Sequence, residues 1–196
     1  MKPIGVLYAT REGQTRRIAE RAAQDLRARR FDVECKNLRD DDAAIHPNDY
    51  SAVVLAASVH AGGHEREMIK FVKKHRTELE QIPTAFISVT LSEAGAEMSG
   101  KTPEERARFS ADVQKVIDKF FEETGWRPER VKPVAGALMY SKYNPLVRFV
   151  VKRIAKKAGA ATDTSRDYEY TDWIGLDRFS DELADELSSS ASRAGR

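Results

Sequence analysis

Apolar residues in this chain fall into two kinds of run. Ile4–Ala9, Ala52–Ala57, Ala85–Val89 and Val134–Met139 are short, continuous and bounded by turn residues. That is the pattern of β-strands covered on both faces. A fifth stretch, Phe31–Asn37, alternates apolar and polar positions and fits a strand at an edge. Between these runs the apolar positions recur every three or four residues. Thr15–Arg29 gathers Ile18, Ala22 and Leu26 on one face, and Glu65–Leu79 gathers Met68, Ile69, Val72 and Leu79; both predict amphipathic helices. Thr102–Glu123 does the same with Val113, Val116, Ile117 and Phe120. It opens with a threonine cap, a proline at the first helical position and a glutamate at the third, and Gly125 offers a left-handed stop. A last helix begins near Asp172 and carries Trp173, Leu176, Phe179, Leu183 and Leu187, ahead of a polar tail, residues 189–196, expected to be disordered.

Strands alternating with helices predict an open, doubly wound parallel α/β sheet. Five strands favour the order 2-1-3-4-5. Such sheets bind ligands at the carboxyl ends of their strands, where the order reverses. Here that point lies between the first and third strands, beside the loops Thr10–Thr15 and Ser58–His64. Two segments exceed the minimal repeat: Leu91–Lys101, a small, polar loop after the fourth strand, and a long insertion over residues 140–171. No linker divides the chain, so residues 1–188 are expected to form one domain.

The loop Thr10-Arg11-Glu12-Gly13-Gln14-Thr15 closes the first strand and opens the first helix. A helix start has free backbone N–H groups and the positive end of the dipole. Two hydroxyls and a glycine let the chain wrap around an anion, of which a phosphate is the obvious example. The loop lacks the Gly-Lys-Ser/Thr of a nucleotide-triphosphate loop and the three glycines of the dinucleotide fingerprint. A plain capped turn, with Thr15 as cap and Gly13 supplying a positive φ, is the competing reading.

Composition narrows the setting. Hydrophobic residues make up 41 % of the 196 and charged residues 33 %, with a net charge of +2. That balance argues against nucleic acid as a partner. A lone cysteine, Cys35, cannot form an intrachain disulfide and fits a reducing cytoplasm. It alternates with Phe31 and Val33 and reads as a small buried residue. The first apolar run is too short for a signal peptide, and none approaches a membrane span. One segment is asymmetric in charge. Asn144–Gly159 places Leu146, Val147, Val150, Val151, Ile154 and Ala158 on one helical face, with Arg148, Lys152 and Lys156 opposite and Arg153 and Lys157 at the edge. Two readings stand: a basic helix lying on an anionic membrane surface, or ordinary packing on the domain.

The motif T-x-x-G-x-T at residues 10–15 resembles the FMN phosphate loop of flavodoxins. More narrowly, "TREGQTRRIA", "AASVHAGGH", "FVKKH", "WRPERVKPVAGALMY" and "ATDTSRDYEYTDW" together resemble the flavodoxin-like, quinone-dependent protoporphyrinogen IX dehydrogenases. The likeness spans residues 1 to about 185, and the late "TDT…YTDW" block is its most telling part. The resemblance implies oxidation of protoporphyrinogen IX in haem synthesis, with electrons passed through FMN to a membrane quinone, by a cytoplasmic protein peripheral to the membrane. It implies that Thr10, Arg11, Glu12, Gly13, Gln14 and Thr15 hold the FMN phosphate. Ser58, Val59, His60, Ala61 and Gly62, with Thr90, Leu91, Ser92 and Gly95, would flank the ring. Neither flanking loop offers the aromatic side chain that flavodoxins stack on the flavin.

His60 and His64 straddle two glycines beside the expected ring. They are candidate proton carriers, with loop histidines in water as the plainer alternative. No third ligand of fitting spacing accompanies them, so a metal is not expected there. Lys142, Arg148, Lys152 and Arg153 are candidates to pair with the substrate's propionates, and Lys156 and Lys157 add to the basic face. Tyr140 and Tyr143 either touch substrate or anchor the insertion. The competing functions are a diffusible electron carrier, an NAD(P)H:quinone reductase and a flavin-free binding module. A homo-oligomer is left open.

Overall fold

In the computed structural model, which describes residues 2–41, 44–142, 145–157 and 161–194, three of the four continuous apolar runs become inner strands, and the fourth, Val134–Met139, divides between the end of an edge strand and a short separate strand. The chain runs β1 (Ile4–Ala9), α1 (Gln14–Ala28), β2 (Val33–Asn37), α2 (Leu38–Asp41), β3 (Ala52–His60), β4 (Gly63–His64), α3 (Arg66–Lys74) and α4 (Arg76–Leu79). It continues through β5 (Thr84–Thr90), α5 (Leu91–Glu97), α6 (Pro103–Thr124), β6 (Arg130–Ala135), β7 (Ala137–Leu138), α7 (Pro145–Lys157), β8 (Tyr168–Glu169) and α8 (Trp173–Ala194). The long strands are parallel in the order β2-β1-β3-β5-β6. Setting aside the short β4, this is the expected 2-1-3-4-5 flavodoxin-like order.

Apolar side chains bury both faces of the sheet. Ile18, Ala22 and Leu26 of α1 join Leu176, Phe179 and Leu183 of α8 over one face. Met68, Phe71 and Val72 of α3 join Val113, Ile117, Phe120 and Phe121 of α6 over the other, around the fully buried Trp126. Charged pairs tie α1 to α8 across their outer edges: Arg21 to Asp177, and Arg29 to Asp181 and Asp185. The Thr102–Glu105 capping box is formed at the start of α6, and Gly125 ends that helix at φ +70°. Cys35 is half-buried in the edge strand β2.

Several expectations are corrected. The last core strand starts earlier, at Arg130, because a charged, alternating segment suffices at the edge of the sheet. Leu91–Lys101 is not a loop: Thr90 Oγ1 accepts from Ser92 N and caps α5. The helix expected over Glu65–Leu79 breaks at His75 into α3 and α4. The end of the chain stays helical to Ala194 instead of fraying from residue 189, with Ser189 Oγ donating to the Asp185 carbonyl. Asp40 is exposed at the end of α2, whereas Asp42 and the Asp41 side chain lie outside the described residues.

The insertion has a small core of its own. β7 and β8 pair antiparallel, and Leu138, Tyr140 and Ala155 pack with Leu91, Val151, Tyr168 and Tyr170. Tyr140 is buried and its hydroxyl donates to the Ala161 carbonyl at 2.9 Å. It anchors the insertion. Tyr143, Asn144, Ala158 and Gly159, and the side chains of Leu146, Val147, Val150, Ile154 and Lys157, lie outside the described residues.

Candidate active site

The first-strand loop behaves as an anion cradle requires. Gly13 stands at the N-cap of α1 with φ +98°, and no side chain caps the helix. The amide hydrogens of the first turn are therefore left for a ligand. Gly13 N donates to Thr10 Oγ1 at 3.2 Å, which curls the loop on itself. A Cβ on Gly13 would find space, with only Lys142 Nζ within reach at 3.5 Å, so the glycine is required by its backbone angle and not by crowding. Thr15 lies in the first turn of the helix and does not cap it, which corrects the alternative reading.

Three loops converge beside this cradle on a cavity of about 120 Å³. Thr10, Glu12, Gln14 and Thr15 line it from the first loop, Ser58, Val59 and His60 from β3, and Thr90 and Leu91 from the end of β5. These residues were expected from the sequence. Val89, Gly136, Ala137, Leu138 and Val151 were not; β7 and α7 supply the last three as a cover. Gly136 had a readable signal, a glycine interrupting the apolar run Val134–Met139, and the strand ends just before it. The remaining expected residues stand outside the lining. Ala61 and Gly62 form the two-residue turn of the β3–β4 hairpin, both at positive φ, 49° and 77°, as a type I′ turn demands. Ser92 enters α5. Gly95 is buried under the Phe109 ring, where a Cβ would come within 2.7 Å, so its role is packing.

His60 sits in a charged nest that spacing did not reveal. Its Nε2 lies 3.1 Å from Glu12 Oε2 and 3.2 Å from Glu65 Oε1, both off the N–H axis, so these contacts are ionic more than directed. Glu65 is buried, 3 % exposed. It accepts from Ser58 Oγ at 3.0 Å and pairs with Arg11 Nε at 2.9 Å. Arg11 thus turns toward Glu65. Burial would lower the His60 pKa, but the contact with Glu12 and the charges of Glu12 and Glu65 outweigh it and raise the value. Burial pushes Glu12 the other way, yet its contact with His60 holds it below the ordinary carboxylate range. The pair therefore favours an imidazolium beside a carboxylate at the cavity wall.

His64 does not fit the role of proton carrier. It is 5 % exposed, its Nε2 is 2.9 Å from Ser88 Oγ, and its ring packs edge-on against Phe86 and Phe120. Burial, helped by the Lys119 charge, lowers its pKa to about 4, so it is neutral near pH 7. It points into the core beneath the hairpin.

Lys142 is placed differently from expectation. Its Nζ donates to the Glu12 carbonyl at 2.5 Å, which puts its charge on the cradle loop and away from the basic helix. Gln14 Nε2 donates to Glu169 Oε1 at 3.0 Å and to Thr171 Oγ1 at 2.9 Å, so the late "YEYTDW" block also docks on the start of α1. Arg148 acts electrostatically on Asp167 within the insertion. Lys152, Arg153 and Lys156 are exposed, and Arg153 lies over the ring of Phe149, itself 59 % exposed. No helix among the described residues is long and apolar enough to cross a membrane.

A doubly wound sheet with an uncapped, glycine-opened helix at its switch point defines a flavodoxin-type protein. The family described as "Flavodoxin domain" matches residues 5–165, which implies a flavin cofactor, and the uncapped cradle and open Gly13 fit its phosphate. More closely, the chain belongs to the protoporphyrinogen IX dehydrogenase [quinone] family, a family of oxidoreductases. It is 35 % identical over 179 residues to the protein of that name from Escherichia coli strain K12, covering 91 % of this chain and 93 % of that one. Its counterpart in Leishmania major is 32 % identical over 181 residues, 91 % of this chain and 73 % of that one. Among solved structures, the fold matches oxidised flavodoxin 1 from Bacillus cereus with a TM-score of 0.50 at 12 % identity, over 93 % of this chain and 97 % of that one. It also matches a short-chain flavodoxin associated with a bacterial microcompartment, with a TM-score of 0.52 at 16 % identity, over 95 % and 99 %.

Proposed function

We propose that this protein is an FMN-dependent dehydrogenase of protoporphyrinogen IX, acting in haem synthesis and delivering electrons to a membrane quinone. The observation that carries the reading is the convergence of the uncapped Gly13 cradle, the β3 end and the β5 end on one cavity, in a chain 35 % identical to a protein of that name.

FMN, when bound, would supply the reversible redox chemistry. The chain's own groups do the rest. Amide hydrogens of residues 11, 12, 14 and 15 and the hydroxyls of Thr10 and Thr15 would hold the monophosphate, with Lys142 adding positive charge from the side. Ser58, Val59, Thr90 and Leu91 would border the ring. His60 has its Nε2 between two carboxylates, which favour its protonated form, and would exchange a proton as porphyrinogen protons are lost. The open cavity, about 120 Å³, is below the roughly 300 Å³ of a pocket that buries a ligand of this size. The ring would therefore lie partly open to a large planar substrate, or displace the Leu138–Val151 cover.

The basic helix α7 supports a peripheral position on the inner face of the cell membrane. Lys152, Arg153 and Lys156 point outward with Phe149 among them, the mixed charged and aromatic surface of an interfacial helix. Each cation near an anionic leaflet contributes about 1 kcal/mol, enough together for weak, reversible visits to bilayer-dissolved quinone.

Anaerobic mixing of the FMN-loaded protein with protoporphyrinogen IX tests the proposal. Flavin bleaching in step with rising porphyrin fluorescence is the expected result. A flavin that stays oxidised under those conditions overturns it.

A further inference from the structure

At the opposite end of the sheet from the flavin cavity, the fold assembles a donor set that no function above uses. His46 precedes the short turn Pro47–Asp49 that leads into the amino end of β3. His75 caps the end of α3, and Glu78 lies one turn on, in α4, shortly before the amino end of β5. One ligating atom from each of His46, His75 and Glu78 lies within 4.8 Å of the others.

His75 is buried with one ring nitrogen directed at Glu78. The residue is 3 % exposed and packed beside Phe71. Its Nδ1 is 2.8 Å from Glu78 Oε1, whereas its Nε2 is buried with no hydrogen-bond partner. The two ring nitrogens point apart, so Nδ1, the one that faces Glu78, is the atom placed to share a cation with that carboxylate. The His46 ring meets His75 edge-on, centroids 5.6 Å apart, and stays exposed on its other side. A cation therefore has a route from solvent to the buried imidazole.

We propose that His46, His75 and Glu78 form a zinc-class metal site. Two neutral imidazoles and a carboxylate suit a borderline divalent cation, with water completing a tetrahedron. Magnesium and calcium, which favour all-oxygen shells, are disfavoured. The metal would tie the segment entering β3 to the α3–α4 junction, and so acts on stability. It stands a full strand length from the flavin cavity, so it takes no part in the redox step.

The test uses full-length, FMN-loaded protein stripped of metal by a chelator and titrated with zinc sulfate against a chromophoric competitor. One zinc per chain is expected, with a zinc-dependent rise in melting temperature. His46→Ala removes an exposed ligand without disturbing the core, and it should weaken binding at least about tenfold and abolish the thermal shift. Glu78→Gln should do likewise. Zinc uptake or a thermal shift that survives both substitutions overturns the site, as does the absence of stoichiometric binding by the parent protein. Flavin content and dehydrogenase activity are read separately, so the two proposals fail independently.

Discussion

Lys142 reaches back along the chain by 130 residues to donate its Nζ to the Glu12 carbonyl. The insertion thereby places a cation on the loop that opens α1. Lys142→Met should leave the fold intact and weaken FMN binding by up to about tenfold, since a charge-assisted contact to phosphate is worth about 1.5 kcal/mol or more, less where solvent screens it. Flavin fluorescence titration at two salt concentrations checks this, with a shallower salt dependence in the variant.

Gly13 holds φ +98° at the head of the cradle. An alanine there carries a strain of about 1–2 kcal/mol in a position with open space around it. Gly13→Ala should therefore fold, lose a degree or several in melting temperature, and bind FMN poorly as the amide hydrogens turn away. A variant that binds FMN as tightly as the parent would show that the cradle does not hold the phosphate.

Glu12 is the chief group raising the pKa of His60 against the effect of burial. Glu12→Gln should lower that pKa, as read by NMR titration of the imidazole. A raised folded-state value means that the stabilisation is fully present below the unfolded value near 6.5 and is lost as pH rises through the folded value. In Glu12→Gln that loss should move to lower pH, and the pH dependence of porphyrinogen oxidation should move with it.

His64 has the opposite sign. Its folded pKa, about 4, lies below the unfolded value near 6.5, so the unfolded chain binds more protons in between. Stability contributed by the neutral ring is complete above about 6.5 and falls as pH drops toward 4, by about 3 kcal/mol in all. Denaturant titrations of a His64→Asn variant should show a smaller loss over that window than the parent.

How far these features are legible in the sequence depends on whether a residue's neighbours are local. The inner strands are buried on both sides, so β1, β3 and β5 announce themselves as unbroken apolar runs, and Thr10–Thr15, Ser58–His60 and Thr90–Leu91 follow because a loop after such a strand must meet the switch point. Glu65 gave no such signal. It opens a helix, where an acid is ordinary, and only the β3–β4 hairpin folds it beneath Ser58 and Arg11. The surroundings of His64 and Gly95 are hidden for a related reason: each is polar or small in the sequence, yet the aromatic side chains that enclose them, Phe86, Phe120 and Phe109, come from distant segments. Lys142 reads from the sequence only as a candidate for the substrate's propionates, because its partner, the Glu12 carbonyl, is far away in the chain.

The exposed face of α7 makes its own prediction. Replacing Lys152, Arg153 and Lys156 together by glutamate should abolish sedimentation with anionic vesicles and slow turnover with vesicle-borne quinone, while flavin content stays unchanged. Equal vesicle binding by the variant would return α7 to the role of a packing helix.

Cys35 is the chain's sole cysteine, and its half-buried thiol is pushed up to about 11, first by burial and then by the nearby Glu20 charge. A thiol so reluctant to ionise reacts slowly with maleimides and iodoacetamides at neutral pH. The protein thus carries almost no background for selective labelling. A single new cysteine in place of Phe149 would accept a polarity-sensitive dye, and its emission colour would report directly whether that face meets lipid.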